Sequence, residues 1–202
     1  MDCDDRERKF VWEEGALVEI TSHRASSGSE SKAELLFLRA LGWLRDPYAE
    51  FVFYMERDIV WTVQKKLNEL IAQEHLPFRI VNDYPMLPGP KRGLSADIVI
   101  FEGDQVRLAV EFKYEPSHLR TDIPANKFPV CFWGKDGISK DIERIQKFVT
   151  NGSAEGAVSI LIDEGGFFRH LPAHPGSEWV DWQVEGPEWL RACILMAQAS
   201  AS

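Results

Sequence analysis

Ser95–Pro116, SADIVIFEGDQVRLAVEFKYEP, is the stretch on which the fold turns. Apolar, β-branched runs on either side of Gly103-Asp104 predict two strands, Ser95–Glu102 and Val106–Tyr114, joined by a tight turn. Alternate side chains of a strand share a face. Glu111 and Lys113 therefore project together with Ala109 behind them, while Val106, Leu108, Val110 and Phe112 form a face suited to a core. Asp97 shares its face with the apolar Val99 and Phe101. In a hairpin the start of the first strand lies opposite the end of the second, so Asp97 is expected near Glu111 and Lys113. Two carboxylates brought so close repel each other unless a cation sits between them. An open site with oxygen ligands alone favours Mg²⁺ or Mn²⁺. The competing interpretation is a cross-strand salt bridge on a solvated sheet face.

On the N-terminal side, Tyr54 to His75 carries Ile59, Val60, Val63, Leu67, Leu70 and Ile71 at helical spacing and stops before Pro77. Residues 32–45 form another helix, ended by Asp46-Pro47. Ala16–Thr21 reads as a short strand, His23 to Ser31 as a Ser-rich loop, Phe78–Tyr84 as a strand, and Pro85–Gly93 as a turn-rich loop. On the C-terminal side, irregular chain leads to a helix at Ser139–Val149, with Ser139 as N-cap and Asp141 and Glu143 in its first turn. Gly156–Asp163 is a buried strand, Trp179–Val184 another, and Pro187–Ala199 a terminal helix opened by its proline. The expected fold is α/β, a central mixed sheet flanked by helices on both faces, in one domain over residues 1–202. Its core runs over 54–163, with an N-terminal helical extension at 1–53 and a C-terminal strand and helix at 164–202.

Composition bounds the function. The chain has 202 residues, 45% of them hydrophobic and 27% charged, with 14 glycines and 11 prolines, which excludes a collagen, a disordered tail or a disulfide scaffold. Cys3, Cys131 and Cys193 are far apart, form no CxxC pair, and read as reduced thiols. No apolar run is long enough to span a membrane, and the charged start MDCDDRERKF has no apolar middle of a signal peptide, so the cytosol is the expected compartment. A formal charge of −9 disfavours contact with phosphates. It is no veto, because a nuclease that holds a divalent metal must concentrate carboxylates.

Two helices supply context for the strand acids. Glu56 lies three, four and seven residues before Ile59, Val60 and Val63, on the apolar stripe, where an unpaired carboxylate is costly; near a helix start it can equally be exposed. Glu69, clustered with Lys65, Lys66 and Gln73, is on the polar side. In the later helix Ile138, Ile142, Ile145 and Val149 form the buried stripe, while Lys140, Arg144 and Lys147 fall on a second face. Those three cations can clamp a phosphate backbone or be a solvated face partnered by Asp141 and Glu143. Lys91 and Arg92, in the loop before Asp97, have the same two readings. His170 and His174 are separated by Pro172 and read as loop residues, and Trp133, Trp179, Trp182 and Trp189 as core or edge plugs. Acyl transfer is disfavoured, since no GxSxG occurs.

Over residues 54–163 the sequence resembles the PD-(D/E)xK phosphodiesterase superfamily, the restriction-endonuclease-like nucleases. The resemblance is carried by Asp97, thirteen intervening residues, then Glu111-Phe112-Lys113, with Glu56 as the first-helix acid and KDIERI (140–145) in the following helix. Ala96 stands where the motif has proline. The resemblance implies an αβββαβ core and Mg²⁺- or Mn²⁺-dependent phosphodiester hydrolysis of nucleic acid, DNA in the first instance. It also implies a metal held by Asp97, Glu111 and the backbone carbonyl of Phe112, and a Lys113 that positions or activates the attacking water. Glu56 would complete the outer shell or hold a second ion. Lys140, Arg144, Lys147, Lys91 and Arg92 would contact the nucleic acid, and Glu115 reaches the site or points to water. Many relatives pair, so a homodimer is plausible, and no membrane partner is expected. Two other outcomes remain open: a catalytically inactive nucleic-acid-binding or regulatory module, and an unrelated α/β protein. The last requires Phe78–Tyr84 outside the sheet and Asp97 distant from Glu111.

Overall fold

The computed structural model describes residues 9–13, 16–20, 31–86, 95–182 and 186–201. A hairpin of β1 (Lys9–Glu13) and β2 (Ala16–Ile20) precedes α1 (Lys32–Arg45) and α2 (Glu56–Glu74). Then follow β3 (Phe78–Pro85), β4 (Ser95–Glu102), β5 (Gln105–Glu115), α3 (Ile138–Thr150), β6 (Gly156–Asp163), β7 (Ser177–Asp181) and β8 (Cys193–Ser200). The main sheet is mixed, in the order β3-β4-β5-β6-β8-β7. β3, β4 and β5 form an antiparallel meander, β6 runs parallel to β5 after the α3 crossover, and β8 is antiparallel to both β6 and β7. Parallel neighbours need such a crossover, and α3 supplies it.

Both sheet faces are covered. Leu36, Phe37 and Leu41 of α1 and Ile59, Val63 and Leu67 of α2 pack on Ile98, Ile100, Leu108, Val110, Phe112, Val158, Ile160 and Ile194. On the opposite face Ile138, Ile142, Ile145 and Phe148 of α3 cover Val99, Phe101, Ala109, Ala157, Leu161 and Leu195. Burying each large side chain contributes about 2 kcal/mol, so the two clusters hold the helices to the sheet.

Local chemistry sets the boundaries. Ser31 caps α1, its Oγ accepting the Glu34 N–H at 3.2 Å. The Asp58 carboxylate accepts the Tyr54 and Met55 N–H groups at 2.8 and 3.0 Å, which delays the start of α2 to Glu56. At its other end His75 takes a left-handed conformation (φ 52°) ahead of Pro77. Gly103, at φ 60°, makes the turn between β4 and β5.

Several sequence expectations need correction. Pro187 opens no helix: residues 188–189 form a turn, and CILMAQAS is the strand β8, paired on both sides. An apolar run buried on both faces has no periodicity to separate strand from helix. The C-terminal region is therefore two strands, and the expected strand Trp179–Val184 is β7, ending at Asp181, with Val184 outside the described residues. α3 begins at Ile138 after Gly137, and Ser139 instead donates its hydroxyl to the Trp133 carbonyl at 3.2 Å. Phe148 rather than Val149 is the fully buried end of its stripe. Val106 packs with the α3 cluster and not with Leu108 and Val110, because the β4–β5 register shifts between Ile100 and Phe101. Most of the loop Pro85–Gly93 and the whole of the His23–Ser31 loop except Ser31 lie outside the described residues, as do Lys91 and Arg92.

Among the described residues no helix is long and apolar enough to cross a membrane. Cys131 and Cys193 are free thiols, each pushed by burial up to about 12. Trp182 is fully buried, and Trp133 stacks on Trp179 with centroids 5.7 Å apart.

Candidate functional site

Six charged side chains from four elements meet at one end of the β4–β5 pair. Glu56 is the first residue of α2, Asp97 the third of β4, Glu111 and Lys113 share a face of β5, and Asp141 and Arg144 come from α3. Asp97 Oδ2 accepts the Phe112 N–H at 2.7 Å, which ties its carboxylate across to β5. Lys113 Nζ donates to Glu56 Oε2 at 3.1 Å and to the Phe112 carbonyl at 3.4 Å, and faces Asp141 Oδ2 at 3.5 Å. Arg144 spans Glu111 Oε2 at 2.9 Å and Asp141 Oδ1 at 3.1 Å. The chain of charge runs Glu56, Lys113, Asp141, Arg144, Glu111. Four carboxyl groups face two cations, so the fully ionised cluster carries two uncompensated negative charges.

Burial makes that excess expensive. The Glu111 side chain is 3% exposed, and its Oε1 is buried with no hydrogen-bond partner. Burial, then the Asp97 charge, push its carboxyl up to about 8 against the pull of Arg144. Burial also pushes Glu56 up to about 7, partly offset by Lys113. Asp97 is raised by burial, with the Phe112 N–H and Lys113 opposing. For Lys113 burial acts downward, but Glu56 and Asp141 outweigh it, and the ammonium is held charged. Arg144 follows the same logic through Glu111.

A cleft of about 60 Å³ opens beside this cluster, lined by Glu56, Arg57, Val60, Trp61, Asn82, Asp83 and Asp97. Asp83 has φ 50°, and the flanking pairs Asn82↔Ile98 and Tyr84↔Ala96 put it across from Asp97. The kink breaks the alternation of β3: Val81 and Tyr84, three residues apart, both pack against the α3 cluster. A left-handed residue within a strand is a strained element of the kind that collects at functional sites.

A second buried network holds the approach to α2. Arg120 Nη1 donates to the Phe53 carbonyl at 2.7 Å and to the Tyr114 hydroxyl at 2.9 Å, and sits 3.4 Å from Glu164. Glu164 also accepts from Tyr114 at 2.9 Å and from the Ser117 N–H at 2.9 Å. Phe53 is three residues before Glu56, so this network fixes where that acid enters.

The structure brings Asp97, Glu111, Lys113 and Glu56 together, with the Phe112 carbonyl beside Lys113. β3 pairs with β4 inside the sheet, and Asp97 reaches β5 through the Phe112 N–H. Glu115 turns away: it is buried and pairs with His118 Nε2 at 2.6 Å. Arg144 is committed to Glu111 and Asp141, whereas Lys140 and Lys147 are exposed. Asp141, expected as a solvated partner, is 2% exposed and central to the cluster. Its signal was present in the sequence: Asp141 lies three residues after Ile138 and four before Ile145, on the apolar stripe itself. Arg120 and Glu164 carried no such signal, being a loop residue and a strand-end residue joined only by the fold.

Among the described residues no three carboxylate, imidazole or thiolate groups converge as a ready-made metal cage. Lys113 and Arg144 stand between the acids and hold them apart. The donor set nonetheless suits a hard divalent cation: hard oxygen donors only, an orphaned Glu111 Oε1, and an excess of two negative charges.

Fold and site together define an α/β protein with a six-stranded mixed sheet and a largely buried acid–cation cluster at one end of its β4–β5 pair. Comparison with family models, curated proteins and solved structures yields no match to this chain.

Proposed function

We propose that this protein is a Mg²⁺- or Mn²⁺-dependent phosphodiesterase acting on nucleic acid, with a restriction-endonuclease-like core and a PD-(D/E)xK-type site. The observation that carries this reading is the convergence of four carboxyl groups on two cations, with Glu111 Oε1 buried and without a hydrogen-bond partner. The element order α2-β3-β4-β5-α3-β6 supports it further. Asp97, Glu111 and the Phe112 carbonyl would hold the ion, with Glu56 in its outer shell. Bound there, a divalent cation supplies Lewis acidity towards a phosphoryl oxygen and acidifies a water. Lys113, kept charged by Glu56 and Asp141, offers its ammonium to charge that develops on phosphate. Glu56, shifted up to about 7, is suited to accept a proton near neutrality. Arg144 fixes Glu111 through one oxygen and leaves the other, buried one without a partner. DNA is the substrate to test first.

Cleavage of single-stranded, duplex and branched DNA is measured in Mg²⁺ or Mn²⁺ for the native chain, Asp97→Ala and Lys113→Ala. Each variant is expected to lose about 100-fold or more in rate. Cleavage that survives Lys113→Ala, or never depends on metal, overturns the reading. A second reading, an inactive nucleic-acid-binding or regulatory module, draws on the ion pairs that already engage the acids. It requires that calorimetry detect no Mg²⁺ binding that Asp97→Ala removes.

A further inference from the structure

Trp61 is out of place for its residue type. It is 56% exposed, whereas Trp182 is fully buried and Trp133 and Trp179 stack on one another. Among the described residues its indole has no ring partner, and it lines the cleft that also contains Glu56 and Asp97. Arg57 lies four residues earlier, on the same side of α2, and lines the same cleft. Its side chain is 59% exposed and meets Asp83, itself 70% exposed, at 3.6 Å. So exposed a pair is weak and yields readily to a better anion. An isolated indole at the mouth of an acidic cleft, with a replaceable guanidinium one turn away, matches a flat heterocycle joined to an anion.

We propose that Trp61 and Arg57 form a nucleotide subsite, Trp61 stacking on an unpaired base and Arg57 taking an adjacent phosphate, so that single-stranded or frayed nucleic acid is the substrate class. This inference rests on the nuclease reading of the neighbouring acids. Inside a duplex each base has both faces covered by its neighbours, so an indole finds an open π-face where a strand is unpaired and, otherwise, at a duplex end alone. Glu56, Asp83 and Asp97 surround the subsite with negative charge, and a phosphate enters once a divalent ion has neutralised it. Binding should therefore depend on the ion as well as on the indole.

The probe is a single-stranded oligonucleotide carrying 2-aminopurine near one end, compared with its blunt duplex and with a free mononucleotide. Binding is followed in Ca²⁺ and in EDTA for the native chain, Trp61→Ala, Trp61→Phe and Arg57→Ala, and cleavage is followed in Mg²⁺. Melting temperatures confirm that the surface variants fold. Expected are quenching of the probe in Ca²⁺, about tenfold weaker single-strand binding for Trp61→Ala, and retention of most affinity by Trp61→Phe. A native chain that cleaves duplex as well as single strand, with Trp61→Ala unaltered, overturns the subsite and leaves the nuclease reading standing. Trp61-dependent binding without cleavage that needs metal and Lys113 overturns the nuclease reading and supports the subsite. Mononucleotide binding as tight as the oligonucleotide's overturns the polynucleotide as its ligand.

Discussion

At the residue scale, the cluster's chemistry is a contest between burial and charge. Burial pushes the Glu111 and Glu56 carboxyls up to about 8 and about 7 in the folded chain, above the ordinary 4.5. A raised carboxyl binds its proton more tightly folded than unfolded. The resulting stability is full below pH 4.5 and is lost as pH rises through about 7 and 8. Metal-free protein should thus melt at progressively lower temperature from about pH 5 to about pH 8.5 in EDTA, the Glu111 share being on the order of a few kcal/mol. Glu111→Gln, which keeps an oxygen for Arg144, should flatten that decline and melt higher than the native chain at pH 8.5. Melting curves across pH test both; a native chain that gains stability over this range refutes the assignment. Mg²⁺ competes with the same protons, so its affinity should rise over this window with proton release, measurable by calorimetry in buffers of different ionisation enthalpy.

At the element scale, the first turn of α3 carries half of the cluster's ion pairing, and its position is set by a backbone contact. A Cβ on Gly137 would lie 1.8 Å from the Phe132 carbonyl oxygen, the atom that accepts the Ile138 N–H at 2.9 Å. Neither backbone group can yield without moving the helix start. Gly137→Ala should destabilise the fold by about 1–3 kcal/mol and weaken Mg²⁺ binding through displaced Asp141 and Arg144, read by denaturant titration and calorimetry. An unchanged Mg²⁺ affinity would show that α3 does not set the site. The same helix shows the reach of pattern reading. The positions 138, 142 and 145 identify its buried stripe, and Asp141 lies within that stripe, so the solvated face that is one of the two sequence readings does not include it.

At the scale of the whole molecule, Arg120 and Glu164 join the chain before α2 to the ends of β5 and β6, through the Phe53 carbonyl and the Tyr114 hydroxyl. Their side chains are 3% and 2% exposed, so removing Arg120 takes from the buried Glu164 the cation that faces it, whereas Arg120 also pairs with Asp122. Arg120→Ala should cost about 3–5 kcal/mol in chemical denaturation, and more than the paired replacement Arg120→Met with Glu164→Leu. Equal losses would mean that the ion pair itself contributes little. β8 is decided at the same scale. It lies between β6 and β7, and its strand form comes from those partners.

The sequence alone settles the hairpin that brings Asp97 to Glu111 and Lys113, because parity and a tight turn are local rules that act within twenty residues. It likewise determined α1, α2 and the buried β6, through periodicity and end signals. That CILMAQAS pairs as a strand, that Asp141 and Arg144 close the charge chain, and that Arg120 meets Glu164 come from the folded arrangement alone. Each of those depends on which distant surface covers a segment, and pairing across tens of residues leaves no period in the segment itself.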